Sequence, residues 1–350
     1  MGDGSRIEWT DATWNPVLGC TKVSPGCDRC YAMRSVHRME HNPNATVSAA
    51  AAGLAAYRPG VGPVWTNLVR TLPDRLDQPL RWRRPRRVFV NSLSDLFHDG
   101  VPDEFIARVF AVMRLAEQHT FQVLTKRPGR MRSLLGDPLF EGTVHAMCQA
   151  LANGGHLRDF TPGWRWPIPN VWIGVSVESQ RWADVRVPVL LDIPAAVRWI
   201  SAEPLLGPVD LSPWLPRRFE RDQGGYEVHG RDVFGADKRL MSGLPVGWVV
   251  VGGESGPGAR PMHPDWARSL RDQCATAGVP FLFKQWGEHT AVLGGDAPPH
   301  VWVRHADGRT GTEGDALADG SDWVGVYRVG KKRAGRELDG RTHDDYPAVT

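Results

Sequence analysis

The chain has 350 residues, of which 41% are hydrophobic and 23% charged, and its formal net charge is +3. This balance excludes a polycationic protein, so any affinity for nucleic acid must come from a local basic patch. Five sparse cysteines argue against a secreted disulfide framework. The lack of an apolar leader and of a run of about 18 apolar residues predicts a cytoplasmic protein without a membrane span.

Several short apolar runs end abruptly in polar residues and are followed by helix-like segments. The runs, in chain order, are RVFV, TFQVL, VWIGVS, VRWIS, WVVV and PFLF. Continuous β-branched and aromatic runs are typical of strands buried on both faces, as in a parallel sheet. Amphipathic patterns predict helices over 101–118 and 263–278, and we expect a first strand before Cys20. The predicted class is therefore α/β, as a partial or complete parallel (β/α) barrel.

Charged residues follow the predicted strands at equivalent positions. In a barrel these strand ends meet at one face, so we predict that the residues share a catalytic pocket. Each could instead form a helix cap, a loop hydrogen bond or a salt bridge. The candidates are Asp95, Glu178, Glu203, Glu254, Lys126 and Lys284.

Three segments depart from the strand–helix repeat. Residues 40–64 are rich in alanine and glycine and are predicted to be a flexible insertion, and residues 212–247 a second insertion. Residues 288–322 are predicted to be loop-rich and to precede a basic tail. We therefore divide the chain into a barrel over 1–287 and a C-terminal extension over 288–350.

Three cysteines lie within eleven positions, as Cys20, Cys27 and Cys30 in a C-x6-C-x2-C pattern. Thiolates suit a zinc ion, with His37 or His41 as fourth ligand, or an iron–sulfur cluster with one open iron. A redox pair at Cys27 and Cys30 would leave the third cysteine without a role. The position of the motif after the presumed first strand favours the open cluster, because that loop faces the polar strand ends.

This arrangement resembles the radical S-adenosylmethionine superfamily, in which three cysteines after the first strand of a partial barrel hold a [4Fe-4S] cluster. The usual spacing there is C-x3-C-x2-C, whereas the first gap here is six residues. Tyr31 follows the last cysteine, as in members similar to spore photoproduct lyase. The blocks IEWTDATWNPVLGC, GCDRCYA, RVFVNSLSDLFH, RWISAEPLLG and WVVVGGESGPGARP also resemble phage-associated three-cysteine-motif proteins of unknown function.

The resemblance implies a role for each group of residues. Cys20, Cys27 and Cys30 would hold the cluster, and an electron donor such as flavodoxin or ferredoxin and a separate partner protein are expected. Asn91, Ser92 and Asp95 would bind the methionine part of S-adenosylmethionine, and Ser176 and Glu178 its ribose. Gly252 and Gly253 would allow a close backbone approach to cofactor or substrate. The remaining strand-end residues would meet the substrate.

Two basic stretches suggest a nucleic acid or nucleotide as that substrate, in modification or repair. Arginines with an interleaved tryptophan suit phosphate contact and base stacking. Two alternatives stay open: a zinc-stabilised nucleic-acid-binding protein without catalysis, and a hydrolase that uses Asp95, Glu178 or Glu203 as acid and base. The candidate contact residues are Arg81, Trp82, Arg83, Arg84, Lys331, Lys332 and Arg333.

Overall fold

The computed structural model describes residues 4–5, 7–152, 165–216, 245–291 and 298–348. The strands of these residues are β1 Ala12–Trp14, β2 Val17–Leu18, β3 Ala55–Arg58, β4 Gly62–Trp65, β5 Arg70–Thr71, β6 Arg87–Val90, β7 Thr120–Thr125, β8 Val171–Ser176, β9 Val197–Ala202, β10 Trp248–Gly252, β11 Phe281–Gln285, β12 His289–Thr290, β13 Val301–Arg304, β14 Thr310–Gly311 and β15 Trp323–Arg328. The α-helices are α1 Tyr31–Glu40, α2 Ala45–Ala51, α3 Asp103–Leu115, α4 Pro128–Leu135, α5 Pro138–Leu151, α6 Gln180–Leu191, α7 Pro264–Ala277, α8 Glu313–Asp319 and α9 Lys331–Ala334.

The main sheet has seven strands in the order β1-β6-β7-β8-β9-β10-β11, which is their order along the chain. Its strand pairs run parallel wherever a register is defined. All six predicted apolar runs are strands, and β1 precedes Cys20 as expected. The predicted parallel α/β class is therefore confirmed. Among the described residues, no helix has both the length and the hydropathy that crossing a membrane requires.

The chain divides into two compact units. Unit 1 comprises residues 1–176, 193–196 and 256–258. In it β1, β6, β7 and β8 are in register through the pairs Ala12–Val88, Val88–Phe121 and Phe121–Val171. Helix α3 packs on α5 and buries the apolar face that the sequence pattern predicts.

Unit 2 comprises residues 177–192, 197–255 and 259–350. Its strands β9 and β10 bring the buried rings of Trp199 and Trp248 to 5.3 Å between centroids. Helix α7 begins after His263, whose side chain accepts a hydrogen bond from the Asp265 amide. It ends before Gly278, which adopts a left-handed conformation with φ of 70°, as the sequence predicts.

Two of the segments that depart from the strand–helix repeat contain regular elements. Residues 40–64 contain α2 and the β3–β4 hairpin, because Asn44 caps α2 and the alanines of α2 bury against α1. The stretch 288–322 supplies β12, β13 and β14 to a four-stranded antiparallel sheet of order β12-β15-β13-β14 and also contains α8. Only the ends of the predicted insertion 212–247 lie within the described residues, and the division of the chain at 287 stays a prediction.

Gly19 turns the chain from β2 into the cysteine loop. Its φ is 87°, and a Cβ there would lie 2.2 Å from the Leu68 carbonyl oxygen. The same residue bridges in parallel to Ser94, beyond the end of β6. Gly19 therefore permits a close backbone crossing that no larger residue can adopt without displacing its neighbours.

We predict that Gly19→Ala lowers the free energy of unfolding by about 3 kcal/mol or more, because backbone strain and the clash with Leu68 add together. Urea denaturation measures this change. Gly53→Ala is the matched control, since Gly53 also has positive φ but open space around it. The control should cost only about 1 to 2 kcal/mol. Equal losses in the two variants would contradict the close crossing as the cause.

Candidate metal centre

The three clustered cysteines lie on one loop between β2 and α1. Cys27 ends a short 3-10 turn that begins at Pro25, and Cys30 is the residue immediately before α1. Cys20 and Cys30 pack against an apolar cluster to which Leu18, Met33, Val36 and Trp65 belong. The apolar face of α1 thereby fixes one end of the loop, and β2 fixes the other.

The thiols lie close enough to influence one another electrostatically. Burial is the main cause that raises the pKa of the Cys20 thiol to about 12; the negative charges of Asp95 and of a Cys30 thiolate act in the same direction, and Arg127 opposes them. Burial also raises the pKa of the Cys30 thiol, and the neighbouring Cys27 acts in the same direction. Without a compensating cation the deprotonated forms are disfavoured, so this loop favours a ligand that brings positive charge to the sulfurs.

The sulfur spacing bears on the choice between zinc and an iron–sulfur cluster. Sulfurs bound tetrahedrally to one zinc at about 2.3 Å lie about 3.8 Å apart. Among the described residues, no group of three potential ligands that includes a cysteine has its ligand atoms all within 4.8 Å of one another. The three sulfurs are thus spread more widely than one zinc ion requires, and His37 does not join them at that spacing.

Arg127 connects the cysteine loop to the end of β6. Its Nη1 donates to Asp95 Oδ2 at 3.0 Å and lies 3.7 Å from Cys20 Sγ. Its Nη2 donates to Thr21 Oγ1 at 2.6 Å and to the Thr21 carbonyl at 3.2 Å. Asp95 is 6% exposed and also accepts from Thr125 Oγ1 at 2.7 Å and from the Lys126 amide. Asp95 therefore anchors the loop through Arg127.

His98 completes this network on the other side of Thr21. Its Nδ1 accepts from the Gly100 amide at 3.0 Å, which leaves Nε2–H to donate to Thr21 Oγ1 at 3.0 Å. Burial and the adjacent Arg127 cation lower the pKa of His98, so the ring is neutral at pH 7. His98 is thus a fixed hydrogen-bond donor to the cysteine loop.

The predicted cofactor-binding residues of unit 1 differ in how far their polar atoms are already used. Asn91 is 2% exposed, with φ of 60°, and its Oδ1 accepts from the Val17 amide, while Nδ2 has no partner. Ser92 donates to Asn15 Oδ1 at 3.2 Å, and its carbonyl accepts from the Tyr31 hydroxyl. Ser176 is buried at the end of β8. Asn91 therefore has a hydrogen-bond donor, Nδ2, that no protein atom among the described residues uses.

A pocket of about 520 Å³ adjoins the cysteine loop within unit 1. Cys30 lines it, together with the cationic side chains of Lys22, Arg29 and Arg34. Arg34 donates to the Pro257 carbonyl at 2.9 Å, and Lys22 lies 3.5 Å from Asp28. The pocket therefore places one cysteine beside a cationic wall. Its lining residues are Lys22, Asp28, Arg29, Cys30, Met33, Arg34, Gly60, Val61, Pro63, Val64, Pro257 and Gly258.

Sequence comparison assigns the chain to a family. A family model described as "Protein of unknown function (DUF5131)" matches residues 4–347. The chain belongs to this family. No match was found among curated proteins or among solved structures. Membership of DUF5131 thus covers nearly the whole chain, including the cysteine loop and both units.

In this DUF5131 chain, the carboxylates predicted in unit 2 form ion pairs. Glu178 and Arg186 pair at 2.9 Å, and each side chain is 1% exposed. Glu203 lies 2.9 Å from Lys284 Nζ, and Glu254 is bidentate to Arg260. The predicted role as substrate-binding or catalytic residues stays a prediction. Each carboxylate has a cationic side chain as its partner. A general base that is free to accept a proton would lack such a partner.

Gly252 and Gly253 are also explained within unit 2. A Cβ on Gly252 would lie 2.8 Å from Glu203 Oε1, and one on Gly253 would lie 2.0 Å from the Trp286 carbonyl oxygen. Both glycines thus allow the protein's own atoms to approach closely, and their predicted approach to cofactor or substrate stays a prediction. Gly252 lies next to the Glu203–Lys284 pair.

Within unit 1, the first basic stretch lies away from the cysteines. Residues 81–84 precede β6 and so lie at the opposite end of that strand from the cysteine loop. Arg81 pairs with Asp77, and Trp82 packs under Arg86 and beside His119. Arg83 and Arg84 are exposed, as are Lys332 and Arg333 of unit 2, where Lys331 begins α9. The structure does not bring residues 81–84 to the pocket.

Sequence reasoning missed the residues that organise the loop. Thr21 and His98 drew no prediction, although His98 closes the block NSLSDLFH that contains Asp95. The arginine partners Arg186 and Arg260 were missed because a helical or loop arginine gives no signal until its partner is known. The other two cysteines, Cys148 and Cys274, are fully buried in helices, and burial raises their pKa values to about 11 and about 12.

We predict that Asp95→Ala lowers the free energy of unfolding by about 3 to 5 kcal/mol, because it leaves the Arg127 cation buried without its partner. The double variant Asp95→Ala/Arg127→Ala should lose less free energy of unfolding than the two single variants lose in sum. Denaturant titration of all three variants completes the cycle. Arg108→Ala, which removes an exposed pair with Glu104, is the control and should cost about 0.5 kcal/mol or less. Additive losses at 95 and 127 would contradict the coupling.

Proposed function

We propose that this protein is a radical S-adenosylmethionine enzyme with a [4Fe-4S] cluster on Cys20, Cys27 and Cys30. One observation carries the proposal: three cysteines on one loop, at the carboxyl end of a parallel sheet, have one member lining a pocket of about 520 Å³. A purely structural metal site needs no pocket, whereas a reactive metal needs an open position that faces one. We also infer that the parallel sheet belongs to a barrel of the radical S-adenosylmethionine type.

The donor set fits a cluster. The ligands are three soft thiolates, the metals of iron–sulfur clusters prefer such ligands, and the sulfurs are more widely spaced than a single zinc requires. Arg127 lies 3.7 Å from Cys20 Sγ, and hydrogen bonds to ligand sulfurs are one of the determinants of cluster potential. When bound, the cluster supplies the electron for reductive cleavage of S-adenosylmethionine, drawn from a donor such as flavodoxin or ferredoxin.

The remaining residues of the site hold the cysteine loop in place or offer contacts to a bound ligand. The Asp95–Arg127–Thr21 network holds the loop so that the sulfurs keep their places. Asn91 Nδ2 is a buried donor without a partner, suited to an oxygen of a bound ligand. The cationic wall of Lys22, Arg29 and Arg34 favours a ligand with negative charge, such as the carboxylate of S-adenosylmethionine or a substrate phosphate.

We propose a nucleic acid or nucleotide as the substrate class, acted on in the bacterial or phage-infected cytoplasm. The support is the cationic wall together with exposed arginines at 83 and 84 and exposed Lys332 and Arg333. These exposed residues suit nonspecific phosphate contacts, which position a substrate without reading its sequence. A hydrolytic reaction at Asp95, Glu178 or Glu203 is less favoured, because each carboxylate is held in an ion pair.

We predict that protein reconstituted anaerobically with iron and sulfide holds about four irons per chain and gives a [4Fe-4S] signal by EPR after reduction. The signal should shift when S-adenosylmethionine is added. Cys20→Ser, Cys27→Ser and Cys30→Ser should each lose the cluster. Cys148→Ser and Cys274→Ser are matched controls that should retain it, since both thiols are buried in helices.

His37→Ala separates this proposal from the zinc alternative. The variant should keep its cluster, because His37 does not group with the cysteines. The proposal would be contradicted by a protein that gives no cluster signal and binds about one zinc ion per chain, if that binding depends on both the cysteines and His37. That result would favour a zinc-stabilised nucleic-acid-binding protein instead.

We predict that Arg83→Ala/Arg84→Ala weakens binding to a single-stranded oligonucleotide. The negative slope of log K against log salt should become shallower by about 1.4, since each lost phosphate contact removes about 0.7 from its magnitude. Fluorescence anisotropy at several salt concentrations measures the slope. Arg108→Ala, at an exposed arginine on α3, is the control and should leave the slope unchanged. An unchanged slope in the double variant would exclude residues 83 and 84 from the nucleic-acid contact.

A further inference from the structure

Three potential metal ligands converge at the carboxyl end of α1, apart from the cysteines. His37, Glu40 and His41 lie in the sequence HRMEH, and their ligand atoms are all within 4.8 Å of one another. Residues at i, i+3 and i+4 share one face of a helix, which explains why this short segment brings the three side chains together. The His37 and His41 rings meet edge-on with centroids 4.7 Å apart.

The hydrogen bonds around these side chains orient them and leave ligand atoms available. His41 Nδ1 donates to the His37 carbonyl at 2.8 Å, so its Nε2 keeps a free lone pair. Glu40 Oε1 accepts from the Gly53 amide at 2.9 Å. His37 Nδ1 is buried and has no hydrogen-bond partner, which is costly unless a ligand uses it. Metal-binding histidines and carboxylates are commonly held by such outer contacts.

The chemistry of the donors selects a class of metal. Two imidazole nitrogens and one carboxylate oxygen suit zinc and other divalent first-row transition metals. Calcium and magnesium prefer sites made of oxygen atoms, so they fit this set poorly. Three protein ligands leave room for water or another group at a fourth position.

We propose that His37, Glu40 and His41 bind a divalent transition-metal ion at a second site, independent of the three cysteines. This inference does not rest on the proposed enzymatic function. It differs from the zinc alternative considered above, because no cysteine takes part and both histidines act together.

Such a site braces one wall of the pocket. Glu40 contacts Gly53 through its carboxylate and Ser48 through its carbonyl oxygen, and the His37 ring lies 6.2 Å from that of Tyr57 in β3. The β3–β4 hairpin then supplies Val61 and Val64 to the pocket, while α1 supplies Met33 and Arg34. An ion at the end of α1 would therefore stiffen the junction between these two elements.

The test uses the full-length chain with Cys20, Cys27 and Cys30 all changed to serine, so that the cysteine loop cannot bind metal. Isothermal titration with zinc chloride should give about one ion per chain. Adding His41→Ala should weaken binding by more than about 100-fold, because losing a ligand costs more than losing an outer contact. His41 is exposed, so this change should leave the fold intact. His145→Ala on α5 is the matched control and should bind as tightly as its parent.

A cobalt titration of the wild-type chain covers the case in which the triple-serine variant does not fold. His41→Ala and His37→Ala should each remove absorption bands of cobalt bound by nitrogen and oxygen, and leave sulfur-to-cobalt charge-transfer bands unchanged. Undiminished binding in both histidine variants would overturn the proposal. So would a folded triple-serine variant that binds no zinc, or charge-transfer bands that disappear with His37.

Discussion

Arg127 is the residue on which the arrangement of the cysteine loop depends. Between Cys20 and Cys30 only Gly26 is buried, so apolar packing alone cannot fix the loop. The planar guanidinium presents several donors in a fixed geometry, and here it contacts Asp95, Thr21 and the Cys20 sulfur at once. Asp95 is in turn held by Thr125 and the Lys126 amide, at the end of β7. The loop is therefore tied to the ends of two central strands by charge and hydrogen bonds.

The charged residues of the candidate sites divide into two groups. The buried carboxylates are neutralised by cations that pack against them, as in the Glu178–Arg186 pair. Ion pairs of this kind hold a structure in one arrangement but leave little charge for a ligand. The cations that line the pocket are Lys22, Arg29 and Arg34, and they come from the cysteine loop and α1. A ligand in the pocket beside Cys30 would thus meet cations of the loop and helix.

The regular elements of the fold could be predicted from the sequence because burial imposes a local pattern. Short runs rich in β-branched and aromatic residues, such as RVFV and VWIGVS, are typical of buried strands, and Pro264 and Gly278 delimit α7 by their backbone preferences. The segment 40–64 was predicted to be irregular because alanine and glycine give little periodic signal. Its structure depends on packing against α1, which is a tertiary effect.

Side-chain partners at the candidate site could not be predicted in the same way. The sequence marked Asp95, Glu203 and Lys284 as strand-end residues, but not that Asp95 would pair with Arg127 or Glu203 with Lys284. A pairing depends on which strand ends face each other and on the reach of each side chain. His37 was considered only as a partner of the cysteines, because its neighbours Glu40 and His41 become co-ligands only once the helix is formed.

The five thiols of the protein differ in their vulnerability to oxidants. Cys148 and Cys274 have no exposed surface, so an oxidant in solvent has no access to their sulfurs. Cys20, Cys27 and Cys30 are partly exposed. Peroxide would therefore meet the loop cysteines first, and sulfenic acid or a disulfide formed there can still be reduced. Oxidative damage would first remove the ligands of the proposed metal centre and leave the hydrophobic core unaltered.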